Sequence, residues 1–177
     1  MSNLGRSFGV HRALNFRSCL ASSMHIQMQV GPTLSHKRKS SLSYLIFCNN
    51  AVFSWKASLS SVLAMSSAEA ELIALCACAA DVAYCRKLAN ELGFLQLRPT
   101  VIHEDNLGAK QIAESSGNFK GRSKHFELRW RFLHHYINRG IVSIKAIKRD
   151  LQLADIGTAS RGYPQLQQMG AVIHGEA

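Results

Sequence analysis

Glu71, the neighbours Glu104 and Asp105, and Asp155 lie in three separate stretches, "SSAEAELIAL", "VIHEDN" and "LQLADI". Hard carboxylate oxygens brought together from separate elements suit Mg²⁺, which commonly takes one or two carboxylates with water and a substrate phosphate. Two such ions, about 3.5–4 Å apart, activate water and stabilise the leaving oxygen of a phosphodiester. A plainer reading stays open, because Glu71, Asp105 and Asp155 each also sit where a helix start favours an anion. Glu69, two residues before Glu71, reads as the partner of Ser66 in a capping box and so as structural.

Elements must bring these acids together. Ser66 and Glu69 start a helix that should run to about Leu92 and stop at Gly93. Before it, "SLSYLIFCNNAVFSWKAS" holds two β-rich runs around Asn49-Asn50, a two-residue hairpin turn, and "SVLAMS" reads as a third strand. After it come a strand in "PTVIHED", a short helix in "NLGAKQIAESSG" and a helix in "SKHFELRWRFLHHYINRG". The last of these carries Phe126, Trp130, Leu133 and Ile137 at helical spacing. "IVSIKAIK" alternates as a strand, and "LQLADIGTAS" opens a last helix or turn. Three antiparallel strands followed by alternating elements predict an α/β fold, a mixed sheet flanked by helices. In such sheets strand ends and helix starts gather at one edge, which would collect the acids.

The charge is uneven. The net charge is +10, and before Glu69 the chain carries seven cations (Arg6, Arg12, Arg17, Lys37, Arg38, Lys39, Lys56) and no anion. Such an excess points to nucleic acid or an anionic surface as partner. At 47% hydrophobic residues the chain can bury an ordinary core, and no apolar run approaches the roughly 18–20 residues that span a bilayer. Five cysteines without a CxxC pair fit reduced thiols in the cytoplasm or nucleus. Residues 1–40 read as a basic, acid-free leader, whose Arg and Ser content also suits an organelle transit peptide. Residues 41–160 form the expected domain and 161–177 a C-terminal tail.

Five blocks in order, "FSWKAS", "SSAEAELIAL", "EDNLGAKQIA", "GRSKHFELRWRFL" and "LQLADI", make the stretch from about Ser40 to Asp155 resemble the ribonuclease H domain of copia-type retrotransposon Pol polyproteins. That resemblance implies a ribonuclease H-like fold, with four carboxylates holding two Mg²⁺ ions and water cleaving the RNA strand of an RNA–DNA hybrid. It assigns Glu71, Asp105 and Asp155 as catalytic metal ligands, and it implies other parts of a polyprotein as partners. The family's fourth carboxylate is an aspartate on the first strand. Counting back from "KRKSSLSY" lands near Met28, in "HIQMQVG", and no Asp or Glu precedes Glu69. Hydrolysis is therefore expected to be impaired or absent.

The helix block interleaves Arg122, Lys124, Arg129, Arg131 and Arg139 with aromatic residues. Phosphate contact by the cations and stacking by the rings would suit a hybrid, while a core-facing aromatic stripe under solvated cations is the plainer reading. Asn106, Arg122, Lys124, His125, Arg129 and Arg131 are the expected nucleic-acid contacts, with His125 equally readable as structural. A non-catalytic nucleic-acid-binding remnant is the alternative function, and a degenerate fragment without a stable fold is a further one.

Overall fold

In the computed structural model, which describes residues 24–30, 40–48, 51–60, 62–115, 117, 124–158, 167 and 170–171, the described strands form a single five-stranded sheet. In chain order they are β1 (Met24–Val30), β2 (Ser41–Cys48), β3 (Ala51–Leu59), β4 (Thr100–Glu104) and β5 (Val142–Ala146). The helices are α1 (Ser67–Glu91), α2 (Leu107–Glu114) and α3 (Lys124–Asn138), followed by 3₁₀ turns at Arg149–Leu151 and Leu153–Gly157. The sheet order is β3-β2-β1-β4-β5. β1 runs antiparallel to β2 and parallel to β4, and β5 extends the parallel half.

This is the mixed α/β sheet with flanking helices that the sequence implies, with one reassignment. The middle strand, β1, lies inside the segment read as a leader, so the expected boundary at residue 41 cuts through the sheet. "SVLAMS" is not a strand. Its described residues Val62–Met65 have no partner strand; Leu63 and Met65 point into solvent, and Val62 turns back on Ser60 through the Ser60 hydroxyl. The three antiparallel strands are therefore β1, β2 and β3. Met24, Ile26 and Met28 alternate with Gln27 and polar neighbours, and the alternation is too short to stand out without its partners.

β2 reads as a continuous apolar run because both of its faces are covered. Leu42, Tyr44 and Ile46 face the main core with Leu72, Leu75 and Leu133, while Leu45 and Phe47 pack on Ala154 of the second 3₁₀ turn. Cys48 pairs with Ala51 across the expected hairpin; Asn49 and Asn50 themselves lie outside the described residues. Helix α1 starts and stops where its caps demand. The Ser66 hydroxyl accepts the Glu69 amide at 3.1 Å, and Gly93 at φ +85° ends the run. Gly117, also at φ +85°, lies under Trp130, where a Cβ would sit 2.4 Å from the indole ring. Trp130 in turn donates its indole N–H to the Ile112 carbonyl at 3.0 Å, tying α3 to α2. Among the described residues no helix is long and apolar enough to cross a membrane.

Candidate metal centre

Glu69 and Glu71 begin the same helix and have different fates. Glu69 accepts the Met65 amide at 2.9 Å and an Arg129 N–H at 3.4 Å, so both of its oxygens are engaged. Glu71, one half-turn on, faces the end of β4. There Glu104 is the last strand residue, Asp105 follows, and Asn106 caps α2 by accepting the Ala109 amide at 3.1 Å. One carboxylate oxygen from each of Glu71, Glu104 and Asp105 lies within 4.8 Å of the others.

The electrostatics of this corner are costly. Glu104 Oε1 accepts the Asn106 amide at 3.0 Å, but Glu104 Oε2 and Glu71 Oε2 are buried without a hydrogen-bond partner. Burial, then the charge of Asp105, raises the Glu71 pKa, and the Asn106 side chain only partly opposes this. Burial, then the charge of Glu71, raises the Glu104 pKa against the Asn106 amide. Among the described residues, an ion pair reaches this corner from Arg149, whose Nε lies 4.0 Å from Asp105 Oδ2 on a side chain 77% exposed. A contact that long and that wet contributes little. Three hard oxygen donors, two of their carboxylates each with an oxygen unpaired among the described residues, suit a divalent cation.

The other end of the expected site is built differently. Asp155 is buried in the turn Leu153–Gly157 but is not part of the 4.8 Å group. That turn is pinned to β1: Gln152 Nε2 donates to the Met28 carbonyl at 2.6 Å, and the Leu153 amide donates to Gln27 Oε1 at 2.5 Å. Met28, in the position expected for the first-strand aspartate, is fully buried in the main core. Carried one residue further, the parallel register Gln27↔His103 sets Met28 beside Glu104.

Of the three sequence-expected ligands, Glu71 and Asp105 converge at this corner, and Asp155 is buried in the turn Leu153–Gly157. Glu104 was missed. Strand alternation sends neighbouring side chains to opposite faces, which hides an adjacent acid pair. Glu104 and Asp105 escape that rule because the chain leaves the strand between them. Among the expected nucleic-acid contacts, Lys124 and His125 are exposed on the first turn of α3. Arg131 is exposed and pairs with Glu127 at 2.7 Å, Arg129 is engaged by Glu69, and Asn106 caps α2. Arg122 lies outside the described residues. Phe126 and Leu133 are buried, and Trp130 and Ile137 pack on the core, so the aromatic stripe of α3 is structural.

The model superposes on LC11-RNase H1, isolated from compost, with a TM-score of 0.57 over 77% of this chain and 92% of that one, at 13% identity. It also matches the N-terminal RNase H domain of a Mycobacterium tuberculosis protein, with a TM-score of 0.54 over 88% of this chain and 99% of that one, at 13% identity. The fold is that of ribonuclease H.

In sequence, this ribonuclease H-like chain is 27% identical over 130 residues to the retrovirus-related Pol polyprotein from transposon RE1 of Arabidopsis thaliana, covering 73% of the chain. It is 26% identical over 121 residues, 68% of the chain, to that from transposon TNT 1-94 of Nicotiana tabacum. The matched stretch spans 9% of the length of each polyprotein. No family model matches the chain. The similarity to retrotransposon Pol polyproteins is the one the five sequence blocks imply. LC11-RNase H1 has also been solved in complex with an RNA/DNA hybrid, and that structure aligns with a TM-score of 0.52, at 11% identity, over 76% of this chain and 92% of that one.

Proposed function

We propose that this chain is a ribonuclease H-like domain of retrotransposon origin that binds RNA–DNA hybrids and whose Mg²⁺-dependent hydrolysis of the RNA strand is impaired. The observation that carries this reading is the corner of Glu71, Glu104 and Asp105, with two buried carboxylate oxygens lacking a hydrogen-bond partner among the described residues. A divalent ion bound there would supply positive charge to the reacting phosphate and acidify an attacking water. The chain's own residues would hold that charge in place: Glu71 from the first turns of α1, Asp105 from the end of β4, and the Asn106 cap fixing the loop between β4 and α2. Lys124 and His125, with Arg131, offer a cationic edge for phosphates.

Impairment follows from Met28. A thioether is a soft, neutral ligand that does not replace an aspartate at a Mg²⁺ site. Losing that acid weakens transition-state stabilisation by about 4 kcal/mol, roughly 10³-fold in rate. The same residue supports a second reading, a binding remnant without chemistry.

A labelled RNA–DNA hybrid incubated with the protein and Mg²⁺, alongside Asp105→Asn, tests both readings. Slow cleavage that disappears in Asp105→Asn supports the enzyme. Salt-sensitive binding without cleavage supports the remnant, and absence of both cleavage and binding sinks the reading as a whole.

A further inference from the structure

Glu104 has no role in the carboxylate set that the sequence blocks assign, yet it is the most deeply buried acid at this corner. Its relative exposure is 0% and that of Glu71 is 6%. Each has an Oε2 atom without a hydrogen-bond partner, and among the described residues neither forms an ion pair. A buried, unpaired carboxylate oxygen is costly, and natural proteins keep one where a proton or a cation completes it. Oxygens around an octahedral ion at ~2.1 Å lie about 3–4.2 Å apart, and the three carboxylates here already have donor atoms within 4.8 Å.

The parallel pairing of β1 with β4 sets Met28 alongside Glu104, on the face that also carries Ile26 and Ile102. An acid is missing from β1, and an extra acid stands on its neighbour in the sheet.

We propose that Glu104 takes the place of the absent first-strand acid, so that Glu71, Glu104 and Asp105 form a one-ion site for a hard divalent cation such as Mg²⁺ or Mn²⁺. This rests on reading the acidic corner as a metal site, and it does not depend on hydrolysis. Three donor atoms crowded at the end of β4 make a site for one ion, where the related enzymes implied by the sequence blocks hold two.

The test is a calorimetric titration of Mn²⁺ into the full chain without nucleic acid, with thermal midpoints measured with and without the ion. The wild type should bind one equivalent. Glu104→Gln should weaken binding at least tenfold and abolish the Mn²⁺-dependent rise in midpoint. Glu127→Gln, on the outer face of α3, should bind within twofold of the wild type. The double variant Met28→Asp/Glu104→Gln should regain most of the lost affinity, since the acid has only moved to the adjacent strand. Wild-type affinity in Glu104→Gln would overturn the proposal, as would no Mn²⁺ binding by the wild type. If the double variant does not fold, judged by loss of its melting transition, Glu104→Gln alone decides. Mn²⁺ binding through Glu104 with no cleavage of hybrid would remove the hydrolytic reading and leave this one standing. Cleavage that survives in Glu104→Gln would do the reverse.

Discussion

The β4 end and the β1 end of the site lie side by side in the sheet and have opposite chemistry. At β4, Glu71, Glu104 and Asp105 crowd three acids into a buried corner with orphaned oxygens. At β1, Met28 is packed among Ile102, Leu72 and Leu75, and the neighbouring turn is held by neutral amide hydrogen bonds from Gln27 and Gln152. One end stores unfavourable electrostatics that a proton or a cation would relieve. The other is built from apolar packing, which stabilises the fold by burial.

Met28→Asp would break this contrast most severely. It buries a carboxylate in place of a fully enclosed thioether and should cost several kcal/mol in metal-free protein, read as a lower melting midpoint. In Mg²⁺ the loss should shrink, and hybrid cleavage should rise by roughly 10³-fold if the missing acid is what limits the rate. A variant that is destabilised equally with and without Mg²⁺ would show that β1 cannot serve the site.

Next in size is the pH response of the acidic corner. Glu71 and Glu104 keep their protons in the folded chain to higher pH than in the unfolded chain, where carboxylates titrate near 4. The folded state therefore binds more protons above that range, and metal-free stability falls as pH rises through the raised values. Denaturant midpoints measured between pH 5 and pH 9 should decline. Glu104→Gln should flatten that decline and stabilise the metal-free protein at the alkaline end by about 1–3 kcal/mol.

Gln152→Ala removes the donor to the Met28 carbonyl and should cost about 1–3 kcal/mol by leaving that buried acceptor unpaired. Its midpoint should fall equally with and without Mg²⁺, marking the β1 end as structural. Smallest is Arg149→Ala. Its 4.0 Å contact with Asp105 is solvent-exposed on the arginine side, and a stability change within about 0.5 kcal/mol is expected from denaturant titration. A larger change would mean that Arg149 neutralises the corner in the metal-free protein.

Much of the fold was legible in the chain because its signals are local. The Ser66–Glu69 cap and Gly93 delimit α1 to within a residue or two of the expected bounds. The β2–β3 hairpin, α2 and α3 follow from short patterns that carry their own stop signals. The first strand was hidden because Met24–Val30 has no strong period of its own. It becomes a strand by pairing with Ser41–Cys48 on one side and Thr100–Glu104 on the other. "SVLAMS" looked like a strand on composition and lacks any such partner. Within the site, Glu71 and Asp105 could be named as ligands from their blocks, whereas Glu104 could be placed only at the strand end.

By itself the sequence determined which groups were available: carboxylates in three blocks, the absence of any acid before Glu69, and the caps that set where helices begin. Such properties depend on residue identity and on hydrogen bonds reaching three or four residues along the chain. Only the tertiary structure decided that Glu104 meets Glu71 and that Met28 lies beside them in the core. Those outcomes depend on strand partners and burial contributed from distant parts of the chain, and no local pattern encodes them.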